Sequence, residues 1–143
     1  MFDTSHLHPM LVHFPVALIA VGFLFDLAYI FYKKEFCLSK AGFYLMILGT
    51  LGAIAAFTTG HLFTDEPSQG AILSVFTNHK NAALITLIAM CIASIVRTYL
   101  VITKKEETQL KWLSFFLYLI GFCAVGYTGF MGGTMVYDFM LGI

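Results

Sequence analysis

Five histidines stand out in this chain because imidazole can bind a metal and because the surrounding sequence is strongly apolar. Mean hydropathy is +0.86, and 59% of the residues are hydrophobic. The histidines fall in three stretches, around SHLHPMLVHFP, TTGHLF and NHKNAALI, and are His6, His8, His13, His61 and His79. Neutral imidazole is the commonest metal ligand in proteins, and haem iron also takes it as an axial ligand. Chemistry is therefore expected first where these three stretches meet.

The elements that position these histidines are apolar segments long enough to cross a bilayer. No charged residue occurs between Lys40 and Asp65 or between Lys111 and Asp138. A membrane helix needs roughly 20 apolar residues, and both stretches exceed that length. We predict an all-α integral membrane four-helix bundle that forms one domain over residues 1–143. Its helices are predicted at roughly 9–32, 41–62, 80–102 and 112–138.

The distribution of basic residues predicts the orientation. Seven of the eight Lys and Arg residues lie in or near the first and third predicted loops, and Lys80 alone lies at the other side. By the positive-inside rule those loops face the cytoplasm, so both termini and the second loop face outward, on the periplasmic side. The apolar patch AILSVF in the second loop is predicted to lie at the membrane surface or to cover the outer mouth as a lid. The formal net charge of zero gives no reason to expect a nucleic-acid partner.

The topology places three histidines from different helices at one level near the outer face. His13 lies inside the first predicted helix, His61 ends the second, and His79 begins the third. His13 is the strongest candidate ligand, His79 its expected partner, and His61 the next choice. His8 lies five residues before His13, about 140° around a helix, so the two do not form a chelating pair on one face. His8 is expected to complete a metal site or to contact a haem propionate, and His6 to be solvated.

Two ionisable residues interrupt the inner halves of predicted helices. Asp26 lies seven residues before Lys33, and Arg97 lies seven before Lys104, so both sit at similar depth. Charged groups inside a bilayer are costly, and mutual pairing between neighbouring helices is the cheapest arrangement. We predict a buried ion pair between Asp26 and Arg97, with a proton or substrate path as the alternative. Cys37 is predicted in a loop and the other two cysteines near mid-bilayer, where they fill space.

The segment HPMLVHFP at 8–15, followed by Asp26, resembles the HPxxVHFPxxL signature of a small bacterial four-helix membrane family, domain of unknown function 2231. The similarity continues at Gly60, at His79 and at GGTMVY (132–137), and it extends over essentially the whole chain. It implies a multi-pass protein of the bacterial inner membrane, often linked to haem or electron transport, and it includes His8, His13 and His79. His61 lies outside the signature. Lys80 follows His79 where the family often has an acidic residue.

These observations favour a membrane b-type haem protein with bis-histidine ligation near the periplasmic face, acting in electron transfer rather than as a hydrolase. Its expected partners are the lipid bilayer and a quinone or a periplasmic electron-transfer protein. Two alternatives stay open: a non-haem Zn, Cu or Fe site on the same histidines, and a cofactor-free subunit or scaffold. Small residues such as Gly129 and Gly133 allow close helix packing and a homo-oligomer.

Overall fold

The computed structural model describes residues 7–64, 66–67 and 69–139, and these residues form helices and turns without a β-strand. The helices are α1 (Leu7–Leu11), α2 (His13–Phe31), α3 (Phe36–Phe63), α4 (Ala71–Ile102) and α5 (Leu110–Tyr137). Four stretches are long and apolar enough to cross a membrane, namely His8–Phe31, Phe36–Phe63, Ala71–Ile102 and Leu110–Tyr137. The predicted all-α fold with four membrane-spanning helices is confirmed. His6 lies outside the described residues.

The first span contains a break at Val12, which separates α1 from α2. Pro15 has no backbone N–H, so the helical hydrogen bond to the carbonyl of Leu11 cannot form. Hydrogen bonds on either side keep the two pieces nearly in line: Val12 N–H donates to His8 O at 3.1 Å, and Val16 N–H to Val12 O at 3.5 Å. Val12 itself has helical backbone angles, φ −63° and ψ −24°, so the interruption does not redirect the chain.

Two helices begin earlier than the sequence predicted. The third span starts at Ala71 rather than near residue 80, so AILSVF forms the first turns of α4 and is neither a separate surface segment nor a lid. Gly70 precedes it with φ +92°, a left-handed conformation that favours glycine and marks the start of the helix. The second span starts at Phe36 rather than at residue 41, and Cys37 is therefore helical rather than in a loop.

The four spans pack as two antiparallel hairpins. One hairpin joins α2 to α3 and the other joins α4 to α5, while α3 also packs on α4 and α2 on α5. The helices α2 and α4 therefore run in the same direction and lie opposite each other across the bundle. We call the end with the 32–35 and 103–109 connections the lysine end. The end with α1 and the α3–α4 connection is the histidine end.

The middle of the bundle is a tightly packed apolar core. Ile19, Met46, Met90 and Tyr118 have no exposed surface. A small-residue stripe on α3 lets α2 approach, because a Cβ at Gly49 would lie 2.8 Å from Ile19 Cγ1. The buried hydroxyls of Thr50 and Ser94 are 2.8 Å apart and join α3 to α4. This core separates polar groups at the histidine end from polar groups at the lysine end.

Candidate functional site

His8 enters the bundle at the histidine end and packs against α3. Its Nδ1 lies 2.9 Å from the carbonyl oxygen of Ala56, and because that oxygen can only accept, Nδ1 carries the hydrogen. Thr59 Oγ1 is 3.4 Å from the same nitrogen. The ring rests on Gly60, where a Cβ would approach to 2.8 Å from His8 Cε1. The protein thus fixes the tautomer of His8 and leaves Nε2 with its lone pair.

His79 is held in the same way by the other hairpin. It lies eight residues after the start of α4, so it does not begin its helix as the sequence predicted. Its Nδ1 donates to the carbonyl oxygen of Thr128 on α5 at 2.9 Å. Gly132, one turn further along α5, faces the ring, and a Cβ there would make ordinary contact at 3.5 Å with His79 Cε1. In the neutral ring of His79, Nε2 is therefore the nitrogen that keeps a lone pair.

The two rings meet across the bundle. The ring centroids of His8 and His79 are 6.4 Å apart, and the ring planes are at 87° to each other. Two imidazoles bound to opposite sides of one metal ion, with metal–nitrogen distances of about 2.0–2.1 Å, have centres roughly 6 Å apart. Both side chains are only partly exposed. The centroid spacing is that of an edge-to-face ring contact and is also compatible with two ligands of a single metal ion.

Backbone carbonyls supply the groups that orient these rings. A ligating histidine usually donates its second ring N–H to a carboxylate, a carbonyl or a water, which fixes the ring and raises its basicity. Ala56 and Thr128 fill this role for His8 and His79. No sequence pattern could have identified these two residues, because any residue type has a carbonyl oxygen. The two glycines beside the rings are partly predictable, because Gly60 and Gly132 belong to the positions at which the sequence resembles the family.

The other two candidate ligands point elsewhere. His13 is exposed, and its Nδ1 bonds to Pro9 O at 2.9 Å within the same span. His61 is exposed as well. The residue facing His79 is thus His8 rather than His13, because the two side chains lie about 140° apart around the helix. Within the described part of the chain, no group of three or more His, Cys, Asp or Glu side chains could hold a metal ion.

Asp26 and Arg97 come together at the lysine end. Arg97 Nη2 is 3.6 Å from Asp26 Oδ1, and the side chains are 11% and 5% exposed. Arg97 Nη2 also donates to Ser39 Oγ at 2.7 Å. The sequence predicts a pair between neighbouring helices. In the structure the pair instead joins α2 to α4, which lie opposite each other across the bundle. Both groups are buried in an otherwise apolar bundle, so each partner reduces the cost of burying the other.

Small residues make room for this second polar layer. A Cβ at Gly42 would overlap the carboxylate of Asp26, and a Cβ at Gly22 would overlap the hydroxyl of Tyr118. Three buried polar atoms in this layer lack a hydrogen-bond partner among the described residues, namely Asp26 Oδ1, Arg97 Nε and Tyr118 Oη. The layer is therefore a buried ion pair with three polar atoms still able to form hydrogen bonds, and it lies at the opposite end of the bundle from the two histidines.

Comparison with known proteins identifies the family. Residues 4–143 match the family described as a predicted membrane protein, DUF2231. The chain belongs to this family. The match extends over both polar layers, including His8, His79, Asp26 and Arg97. No curated protein and no solved structure matches the chain. Membership of DUF2231 agrees with four membrane-spanning helices, and the paired histidines are the feature from which a function for this member can be argued.

Proposed function

We propose that this protein is a membrane b-type cytochrome in which His8 and His79 hold one haem and which transfers electrons. The main observation behind the proposal is that both histidine rings are held by a hydrogen bond from Nδ1. Each Nδ1 donates to a backbone carbonyl 2.9 Å away, on α3 for His8 and on α5 for His79. Each Nε2 is thereby left as a ligand, and the 6.4 Å centroid separation suits one metal ion between them.

The number of ligands favours haem over a metal ion held by protein alone. Haem brings four nitrogens of its own and takes two axial ligands, whereas structural zinc usually takes four protein ligands. Two facing histidines meet the need of haem without a further side chain. Gly60 leaves space that the His8 ring fills, and a Cβ there would displace the ring, whereas a Cβ at Gly132 would make only ordinary contact with His79. The donor set therefore matches the two protein ligands that haem takes.

The residues around the histidines define what the site does. Bound haem supplies a one-electron redox centre. His8 and His79 would hold the haem iron through two protein ligands, which would favour electron transfer over chemistry at an open iron. The carbonyls of Ala56 and Thr128 hold each ring in place through Nδ1 and increase the basicity of the ligating nitrogen. Because these contacts come from α3 and α5, all four spans contribute to the position of one cofactor.

The side of the membrane is part of the proposal. Six lysines lie at or near the lysine end, and Lys80 lies at the histidine end, where it pairs with Glu66 at 3.0 Å. The positive-inside rule then puts the lysine end in the cytoplasm and the haem near the periplasmic face of a bacterial inner membrane. An electron partner at that level is a quinone in the outer leaflet or a periplasmic protein.

An absorbance spectrum of detergent-purified protein tests the proposal directly. We expect Soret and α bands and about one haem per chain in the wild type. His8→Ala and His79→Ala should each lose most of the bound haem. The matched controls His13→Ala and His61→Ala should retain it, because both side chains are exposed and neither faces the pair.

Other outcomes separate the alternatives. A colourless protein with stoichiometric Zn, Cu or Fe that disappears in His8→Ala and His79→Ala would replace haem by a directly bound metal. A protein that binds neither haem nor metal, or one whose haem survives both substitutions, would overturn the proposal. The first of these two results would leave a cofactor-free subunit or scaffold.

A further inference from the structure

The bundle carries an apolar groove on its outer surface between α3 and α4. The groove has a volume of about 470 Å³ and is lined by Phe43, Tyr44, Ile47, Leu48 and Thr98. Tyr44 and Leu48 are 63% and 52% exposed. Both helices cross the membrane, so this surface faces lipid.

Basic groups border the groove toward the lysine end. Lys40 lies four residues before Tyr44 and therefore on the same side of α3, one turn closer to that end. Ser39 lies four residues before Phe43 and therefore one turn closer to the lysine end on the same side of α3. Its hydroxyl accepts a hydrogen bond from Arg97 of α4 at 2.7 Å. The Ser39–Arg97 bond joins the two helices that form the groove. The apolar groove thus ends, toward the lysine end, next to the exposed basic residue Lys40.

The depth of this edge matches a lipid headgroup. The 28 residues of α3 extend about 42 Å, whereas the hydrocarbon core of a bilayer is about 30 Å thick. If the helix overhangs equally at both ends, about four residues lie outside at each end, which puts the boundary near Lys40. The groove residues then lie within the hydrocarbon layer. Lys40 can extend its ammonium group to the phosphate level while its methylene groups stay on the protein.

Of the two basic residues at this edge, Arg97 pairs with Asp26, whereas Lys40 is not neutralised by a described residue. Lys111 pairs with Glu107 at 3.0 Å on the other side of the bundle. Lys40 is exposed and makes no ion pair with any described residue. A basic residue near the membrane surface attracts anionic lipid by about 1 kcal/mol, which corresponds to about a fivefold preference. Charge complementarity therefore selects an anionic occupant over a zwitterionic one.

We propose that the α3–α4 groove binds one anionic phospholipid. One acyl chain lies along Phe43, Ile47 and Leu48, and the phosphate contacts the Lys40 ammonium group at the lysine end. This site is independent of the histidine pair and of the orientation in the membrane. It would stand if the protein bound no haem.

Fluorescence quenching by brominated lipids tests the site, since the chain has a single tryptophan, Trp112. Replacing Trp112 by Phe and Tyr44 by Trp puts the only indole in the groove. The matched control combines Trp112→Phe with Phe116→Trp, which places the indole on lipid-exposed α5 at a similar distance from the lysine end. Each protein is reconstituted in phosphatidylcholine vesicles that contain a minor fraction of brominated phosphatidylglycerol or brominated phosphatidylcholine. Circular dichroism checks that every variant is folded.

The proposal makes a distinct prediction for each protein. Brominated phosphatidylglycerol should quench the indole at position 44 with an apparent affinity about fivefold above that of brominated phosphatidylcholine. Adding Lys40→Gln should remove this preference, adding Lys34→Gln should leave it, and the indole at position 116 should show none. Equal quenching by both lipids at position 44, or a preference that survives Lys40→Gln, would overturn the proposal. Absence of quenching by either lipid would also overturn it, because protein would then cover the groove.

Discussion

Asp26 and Arg97 lie 3.6 Å apart, measured from Oδ1 to Nη2, on two helices that face each other across the bundle. Helices α2 and α4 run in the same direction, so residues at the same depth on the two helices meet over the bundle axis. The histidine pair uses the same diagonal at the opposite end, with His8 just before α2 and His79 on α4. Two pairs of polar side chains thus face each other across the same pair of spans, one at each end of an apolar core.

Removing one member of the Asp26–Arg97 pair should destabilise the protein strongly. Asp26→Asn leaves Arg97 as a buried, uncompensated charge, and Arg97→Gln does the same to Asp26. Each change should lower the free energy of unfolding by about 3–5 kcal/mol, the usual cost of breaking a buried pair. The double variant should recover part of that loss, as measured by thermal or denaturant unfolding in detergent.

The exposed pair Lys111–Glu107 provides the control for this cycle. Its two side chains are 32% and 84% exposed, so Glu107→Gln should change stability by no more than about 0.5 kcal/mol. Strictly additive losses in the Asp26 and Arg97 variants would show that the two residues do not interact.

Much of this architecture could be predicted from the sequence, and the limits have physical causes. Asp26 and Arg97 were paired by depth alone, because seven residues separate each from a lysine at the same end. The start of α4 was misplaced because His79 and Lys80 interrupt the hydropathy pattern. A helix hydrogen-bonds its backbone regardless of side-chain polarity, and α4 continues back to Gly70, where φ is +92°.

The choice between His8 and His13 lay beyond sequence reasoning. Both belong to HPMLVHFP, and the deeper position of His13 made it the stronger candidate. Which side chain faces the bundle depends on how the first span is rotated about its own axis and on whether a neighbouring helix leaves space. Gly60 provides that space for His8, whereas His13 bonds to Pro9 O and stays exposed.

Gly60→Ala should disrupt the histidine pair more than other glycine substitutions at the same end. The added Cβ would lie 2.8 Å from His8 Cε1, so the ring must move away from Ala56 O. We expect about a tenfold or greater loss of cofactor affinity, as is typical when the support of a ligating ring is altered. Haem or metal content per protein measures the effect, and imidazole NMR signals of His8 report the displacement without any cofactor.

Two further glycines serve as controls for that substitution. Gly132→Ala places its Cβ 3.5 Å from His79 Cε1, an ordinary contact, and Gly133→Ala meets nothing within 4 Å. Both should retain cofactor content near the wild-type level. A loss in Gly133→Ala as large as in Gly60→Ala would mean that helix packing, rather than the position of the His8 ring, determines binding.

Tyr118→Phe should leave the protein as stable as the wild type or more stable. The Tyr118 side chain is fully buried and its hydroxyl has no hydrogen-bond partner among the described residues. An unsatisfied buried polar group costs about 1–3 kcal/mol, so removing it should raise the free energy of unfolding by about 1 kcal/mol.

Ser114, one turn earlier on α5 and equally buried, donates to Ala93 O at 3.1 Å. Ser114→Ala should therefore destabilise by about 0.5–1.5 kcal/mol in the same assay. A comparable loss in Tyr118→Phe would show that the hydroxyl has a partner, such as a bound water.

A natural cysteine can report the orientation of the bundle. Cys37 is exposed in the first turn of α3 at the lysine end, and Gln69 is exposed in the connection at the histidine end. The positive-inside rule puts Cys37 in the cytoplasm, so a membrane-impermeant maleimide should not label it in intact cells. Gln69→Cys in a Cys37→Ser background should be labelled under the same conditions, and both sites should react once the membrane is disrupted. Cys91 and Cys123 lie within the membrane-spanning helices, which a membrane-impermeant reagent does not enter, and should contribute little background. Labelling of Cys37 but not of position 69 in intact cells would invert the topology and would move the histidine pair, with its proposed electron partner, to the cytoplasmic face.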